Sequence, residues 1–142
     1  MQTECNSDLF GFTPVEGRQV AASFDGGSIT TDAGGLLLGA TDRAIGLIGR
    51  LAGCFVDRRD PALIEHEVGT LVGQRVLGLA LGYEDLNDHE QLRRDPLLAT
   101  ACEKRDPLGA DRLDPADRGR ALAAASTLNR LELSNNRMSR GH

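Results

Sequence analysis

Tryptophan is absent from the 142 residues, and one Tyr and four Phe bring the aromatic share to only 4%. A platform that stacks unpaired bases on aromatic rings is therefore poorly provided for. Lysine is nearly missing too, since of 16 basic residues only Lys104 is not an arginine. Guanidinium groups grip carboxylates and phosphates bidentately, whereas ammonium groups act as point charges. Cysteine is sparse: Cys5, Cys54 and Cys102 lie far apart without a CxxC pair. That spacing excludes a zinc ribbon and a disulfide scaffold, and makes reduced, buried thiols the expectation. No apolar run approaches the ~20 residues that cross a bilayer. The start Met1-Gln-Thr-Glu is acidic and polar where a signal peptide is basic and then apolar. The expected location is cytoplasmic, with no membrane partner.

What is present suits one compact domain: 40% apolar residues and a mean hydropathy of -0.27, enough to bury a core. The net charge of -5 opposes phosphate binding by the chain as a whole, so any DNA contact must be local. Such a locality exists near the end, where Arg118, Arg120, Arg130, Arg137 and Arg140 face the single acid Glu132.

Along the chain, residues 1–17 form a tail. Val20, Ala22 and Phe24 alternate, Gly26-Gly27 follows, then Ile29 and Thr31, which predicts a β-hairpin that must dock to be stable. Thr31 or Asp32 can cap a helix with the stripe Leu36, Leu37, Ala40, Ala44, Leu47, Ile48 and Leu51, kinked or interrupted by its glycines. Asp60 and Pro61 start what reads as a core helix of about 20 residues, through Leu63, Ile64, Val68, Leu71, Val72, Val76, Leu79 and Ala80 up to Gly82. A polar turn leads to a short helix from His89 to Arg94. Asp95-Pro96 stops it and starts an apolar piece, Leu97 to Cys102. Residues 103–120 are charged, with Pro107, Gly109 and Pro115, and read as a linker. Residues 121–142 give a short capped helix and a basic tail that frays. The fold class expected is α+β, mainly α: an N-terminal β-hairpin followed by a small set of packed helices spanning residues 18–102.

Several side chains invite a chemical reading. Asp25 precedes a glycine turn at a strand end, where a nuclease presents a metal-binding carboxylate; turn chemistry explains it as well. Glu65-His66-Glu67 lacks the second histidine of HExxH, since position 70 is Thr, so His66 is expected on a helix surface. Glu84, Asp85, Asp88, His89 and Glu90 lack the rhythm of a calcium loop and suit helix caps. Arg58-Arg59, Arg93-Arg94 and the C-terminal arginines make a phosphate-binding stripe if folding gathers them, and ordinary solvated charges if it does not.

The stretches Phe24-Asp-Gly-Gly-Ser-Ile-Thr-Thr-Asp-Ala-Gly-Gly, Cys54 to Arg59 with Pro61, His66, Gln74-Arg75-Val, Ala80 to Pro96 and Ser126-Thr-Leu-Asn-Arg-Leu-Glu together resemble one family. It is the amino-terminal part of DDE transposases of bacterial insertion sequences, in the group numbered thirteen-eighty. The likeness covers about residues 10 to 136, and the seventeen residues from Ala80 to Pro96 are its most specific element. It implies cut-and-paste transposition, recognition of terminal inverted repeats, and a ribonuclease-H-like core whose two Asp and one Glu hold Mg²⁺ in the full-length relatives. Those carboxylates lie downstream of the Ser126 to Glu132 segment in similar proteins, so the resemblance assigns no catalytic or metal residue here.

The chain is thus expected to be a truncated amino-terminal fragment, an incomplete domain without the catalytic core or a cofactor of its own, and strand-transfer inactivity is expected from the missing carboxylates. Its DNA-binding residues are expected to be Arg93, Arg94, Arg118, Arg120, Arg130, Arg137 and Arg140, with self-association through exposed apolar surface along Leu36 and Leu37. Two rival readings stand beside it. One is a stand-alone DNA-binding regulator reading bases through Leu128-Asn-Arg-Leu-Glu. The other is a small metal-dependent nuclease using Asp25, Asp85 and Asp88.

Overall fold

The computed structural model describes residues 30–133 and the backbone of residues 137 and 138. The hairpin expected around Gly26-Gly27, and Asp25 with it, lies outside the described residues; Thr30 and Thr31 are not in a strand. The elements are α1 (Gly35–Ile45), α2 (Leu47–Ala52), β1 (Val56–Asp57), α3 (Val68–Ala80), α4 (His89–Leu92), α5 (Pro96–Ala101), α6 (Ala125–Glu132) and β2 (Arg137–Met138), with single 3₁₀ turns at Pro61–Leu63, Leu86–Asp88 and Pro115–Asp117. The described chain is mainly helical. Its only strand pairing is parallel, Val56 with Arg137 and Asp57 with Met138.

Aspartate followed by proline punctuates the fold four times, at Asp60, Asp95, Asp106 and Asp114, and at three of them it starts a helical turn. Asp60, Asp95 and Asp114 each take an extended conformation, and each accepts the backbone N–H two residues on, from Ala62, Leu97 and Ala116 at 3.0, 2.8 and 2.9 Å. Proline at the next position loses no hydrogen bond and arrives with a helical φ. Asp85 caps the turn before α4 in the same way, accepting from Asn87. The acids around position 88 thus include a cap, as their sequence suggests.

The expected interruption of the first helix falls at Gly46, whose φ of 66° is left-handed. Its leucine stripe faces solvent, in line with the exposed apolar surface expected along Leu36 and Leu37. Leu36, Leu37, Leu47 and Leu51 are exposed, and α1 meets α5 through Gly35, Gly39 and the half-buried Leu38. A Cβ on Gly39 would lie 3.6 Å from the Ala101 backbone, so backbone approach, not leucine packing, selects this face. Neither Thr31 nor Asp32 caps α1; Gly34 occupies the cap position, and the Asp32 carboxylate accepts from Tyr83 Oη instead.

The helix expected from Asp60 is also shorter. Asp60 starts one 3₁₀ turn, the chain straightens at Ile64 with ψ of 113°, and α3 begins only at Val68. The break turns Glu65 and His66 inward, so His66 is buried rather than on a helix surface. Leu63, counted in the apolar stripe, is exposed in consequence. α3 is the centre of the fold. Leu77 packs with Leu92, Leu98, Ala101 and Leu122, while Leu71 and Val72 pack with Ala123, Leu128 and Leu131; Ile48 touches both groups. Of the cysteines, Cys102 packs on the core, whereas Cys54 is exposed, against expectation.

Residues 103–120 are irregular, as their prolines and glycines imply, yet they pack on the helices. Gly109 has φ of 71°, and a Cβ there would sit 2.7 Å from Ala121 N; Gly119, at φ 83°, has open space. Gly119→Ala should therefore cost about 1 kcal/mol of left-handed strain. Gly109→Ala adds a backbone clash and should cost about 3 kcal/mol or more. Urea unfolding of the two variants checks the ranking, and equal losses would show that the approach to Ala121 is not tight.

Candidate nucleic-acid interface

Arg112, absent from the expected site residues, is the most completely bonded side chain of the structure. Its Nε and Nη2 donate to the two Glu65 oxygens at 2.7 and 2.9 Å, Nη2 also to Asp117 Oδ2 at 3.0 Å, and Nη1 to the carbonyls of Arg120 and Leu122 at 2.7 and 3.2 Å. All five guanidinium N–H groups are used. Leu113 N adds a bond to Glu65 Oε1 at 2.9 Å. Burial opposes the charge on Glu65, but Arg112 and the Leu113 amide outweigh it and hold the carboxyl below its ordinary range.

Asp117 carries the network on to two residues of the expected DNA-binding set. Arg93 Nη2 donates to its Oδ1 at 3.0 Å and Arg120 Nη1 lies 3.4 Å from the same oxygen. Arg93 is buried and also pairs with Glu90 at 3.5 Å. The fold therefore brings Arg93 and Arg120 together, already neutralised. Arg94, Arg118 and Arg130 are exposed and have no acidic partner among the described residues. Arg94, however, lines a cleft of about 550 Å³ with Asp32, Asp88 and Asp95, an acidic setting that disfavours phosphate. The side chains of Arg137 and Arg140 lie outside the described residues. Arg59, of the other arginine pair, is committed to Asp57 at 2.6 Å and, by its hydrogen bond, keeps that carboxyl below its usual range.

A second buried network centres on Gln74, which interrupts the apolar face between Leu71 and Leu77. Its amide pairs with the backbone of Ala123, accepting from N and donating to O, both at 2.9 Å. The other N–H faces His89 Nδ1 at 3.1 Å, which makes Nδ1 the acceptor and places the ring proton on Nε2. Glu90 accepts the Ala125 amide at 2.9 Å and so caps α6 from another element. Arg75 joins α3 to Glu132 of α6 and donates to the carbonyls of Tyr83 and Glu84.

Many of the described carboxylates serve as caps, as Asp60, Asp85, Asp95 and Asp114 do, or as arginine partners, as Asp57, Glu65, Asp117 and Glu132 do. Among the described residues no group of three or more His, Cys, Asp or Glu side chains is placed to hold a metal ion. They do not fit a magnesium site, and Asp85, the cap of the Leu86–Asp88 turn, is not joined to Asp88 in one.

His66 has neither ring nitrogen hydrogen-bonded among the described residues. Burial, then the charges of Arg112 and Lys104, push its pKa down from 6.5 to about 4. A proton therefore binds the unfolded chain first, and stability contributed by neutral His66 is complete above pH 6.5 and lost as pH falls toward 4. Between pH 7 and 5 the loss should be about 2 kcal/mol. Denaturant titrations should show this slope and a clear reduction of it in His66→Leu, the remainder coming from buried His89, whose pKa burial also lowers; an unchanged slope would place the titration elsewhere.

A family model described as transposase DDE domain group 1 matches residues 12–140. No curated protein and no solved structure matches the chain.

Proposed function

The chain belongs to the transposase DDE domain group 1 family, and from this we propose that it is the amino-terminal, DNA-engaging fragment of an insertion-sequence transposase of the group numbered thirteen-eighty. The match over residues 12–140 carries the reading. In this reading the chain contacts terminal inverted repeats and performs no strand transfer itself; in support, no group of three or more His, Cys, Asp or Glu side chains gathers for a metal among the described residues. Magnesium chemistry belongs to the catalytic carboxylates of a full-length relative. The cytoplasm is its place of work; no described helix is long and apolar enough to cross a membrane. The exposed Leu36, Leu37, Leu47 and Leu51 support self-association.

Of the arginines first expected to touch DNA, Arg118 and Arg130 are the best placed, being exposed and clear of the acidic cleft. A second reading, a stand-alone regulator, is favoured by α6, which buries Leu128 and Leu131 and leaves Asn129 and Arg130 facing solvent. Asparagine and arginine are the side chains that read adenine and guanine edges.

Gel shifts with inverted-repeat and scrambled duplexes at two salt concentrations separate the possibilities. Arg118→Ala should weaken binding to both duplexes alike and shallow the salt slope by about 0.9. Under the regulator reading, Asn129→Ala and Arg130→Ala relax discrimination between them by about 1 to 3 kcal/mol. Absence of any shift at low salt would refute both. Nicking of DNA with Mg²⁺, abolished by Asp25→Ala, would instead establish the nuclease.

A further inference from the structure

Three guanidinium groups converge on one carboxylate at the surface. Asp117 Oδ1 lies 3.0 Å from Arg93 Nη2 and 3.4 Å from Arg120 Nη1, and its Oδ2 lies 3.0 Å from Arg112 Nη2. The arrangement is layered. The side chains of Arg93 and Arg112 are only 7% and 4% exposed, whereas those of Asp117 and Arg120 are 27% and 36% exposed. The acid is thus a partly solvated cover over a buried basic floor.

The carboxylate does not satisfy that floor. Arg93 Nε is buried without a partner, and Arg93 Nη1 reaches Glu90 only at 3.5 Å. A phosphate presents more acceptor oxygens than a carboxylate and suits planar arginine forks. With Asp117 turned away, three arginines would face Glu65 and Glu90 alone, leaving a surplus positive charge at the spot. The local backbone permits the movement. Asp117 ends a three-residue 3₁₀ turn, Arg118 is extended, and Gly119 at φ 83° has nothing within 4 Å of a Cβ position. Gly119 N donates to Gly109 O at 3.2 Å, and Arg112 and Leu113 anchor the tip of the loop to Glu65, so the movement needed is that of the Asp117 side chain and the residues beside it.

We propose that Arg93, Arg112 and Arg120 form a phosphate seat that the Asp117 carboxylate fills from within, and that a backbone phosphate of DNA displaces Asp117 when the chain engages its substrate. The second half rests on the transposase reading; the seat itself does not. In the unbound chain Asp117 keeps the arginines from capturing other polyanions. On binding, the carboxylate moves to solvent and the phosphate takes its hydrogen bonds.

The test is Asp117→Ala, melted in sodium phosphate and in sodium chloride of equal ionic strength beside the unsubstituted chain. That comparison cancels the general stabilisation by strongly hydrated anions. Phosphate should raise the melting temperature of the variant by about 4 °C more than that of the unsubstituted chain, and the double variant Asp117→Ala with Arg120→Ala should lose the extra gain. Equal shifts overturn the seat. If Asp117→Ala does not fold in chloride, folding restored by phosphate but not by chloride supports the seat, and failure in both passes the decision to Asp117→Asn, in which equal shifts overturn it. Asp117→Asn, which keeps an acceptor for Arg93 and Arg120, must then show the same surplus shift in weaker form. A labelled inverted-repeat duplex forms the second arm. Asp117→Ala should bind it at least about threefold tighter, with a salt slope steeper by about 0.9. Unchanged DNA affinity beside a persisting phosphate gain assigns the seat to free phosphate and overturns the displacement. Absence of DNA binding by any form counts against the transposase reading and leaves the phosphate arm standing.

Discussion

One buried guanidinium turns a loop of aspartates, prolines and glycines into part of the folded body. Burying a charge is expensive unless each of its hydrogen bonds is made, and removing one partner of such a pair typically costs about 3 to 5 kcal/mol. Arg112 meets that demand by drawing on Glu65 before α3, on Asp117 in its own loop, and on two carbonyls of the strand-like segment entering the core. Leu122 and Ala123 are held at the same place from the other side, by the Arg93 carbonyl and by Gln74. The core segment 121–123 is therefore fixed mainly by polar bonds to side chains and carbonyls, although its own residues are apolar.

This arrangement explains what the sequence disclosed and what it hid. Local chemistry was readable: the Asp-Pro starts at 60 and 95, an interruption of the first helix by its glycines, the stop near Gly82 and the inward piece after Asp95 all depend on neighbours within a few residues. Gln74 carried a visible signal too, as a polar residue three positions from Leu71 and Leu77 on an apolar face. Arg112 carried none, because its partner Glu65 lies 47 residues away. Without that partner the stripe from Leu63 to Leu79 reads as continuous. The chain instead straightens at Ile64 to deliver Glu65, and His66 is buried beside it. The apolar surface expected along Leu36 and Leu37 is exposed, and the glycines of α1 make the close approach to Ala101.

The candidate interface followed the same pattern. Arginine abundance was plain from composition, but its use was not. Arg59, Arg75, Arg93, Arg112 and Arg120 are paired with carboxylates inside the structure, which leaves, besides Arg94 in the acidic cleft, Arg43, Arg50, Arg58, Arg105, Arg118 and Arg130 as exposed charges without an acidic partner among the described residues.

If the Glu65–Arg112 pair is the constraint that holds the loop and the core segment together, its two ends must be energetically coupled. A double-mutant cycle of Glu65→Gln and Arg112→Met, read by urea unfolding at pH 7, measures that coupling. The structure calls for an interaction of about 1.5 kcal/mol or more between the two changes. Additivity within about 0.5 kcal/mol would contradict it.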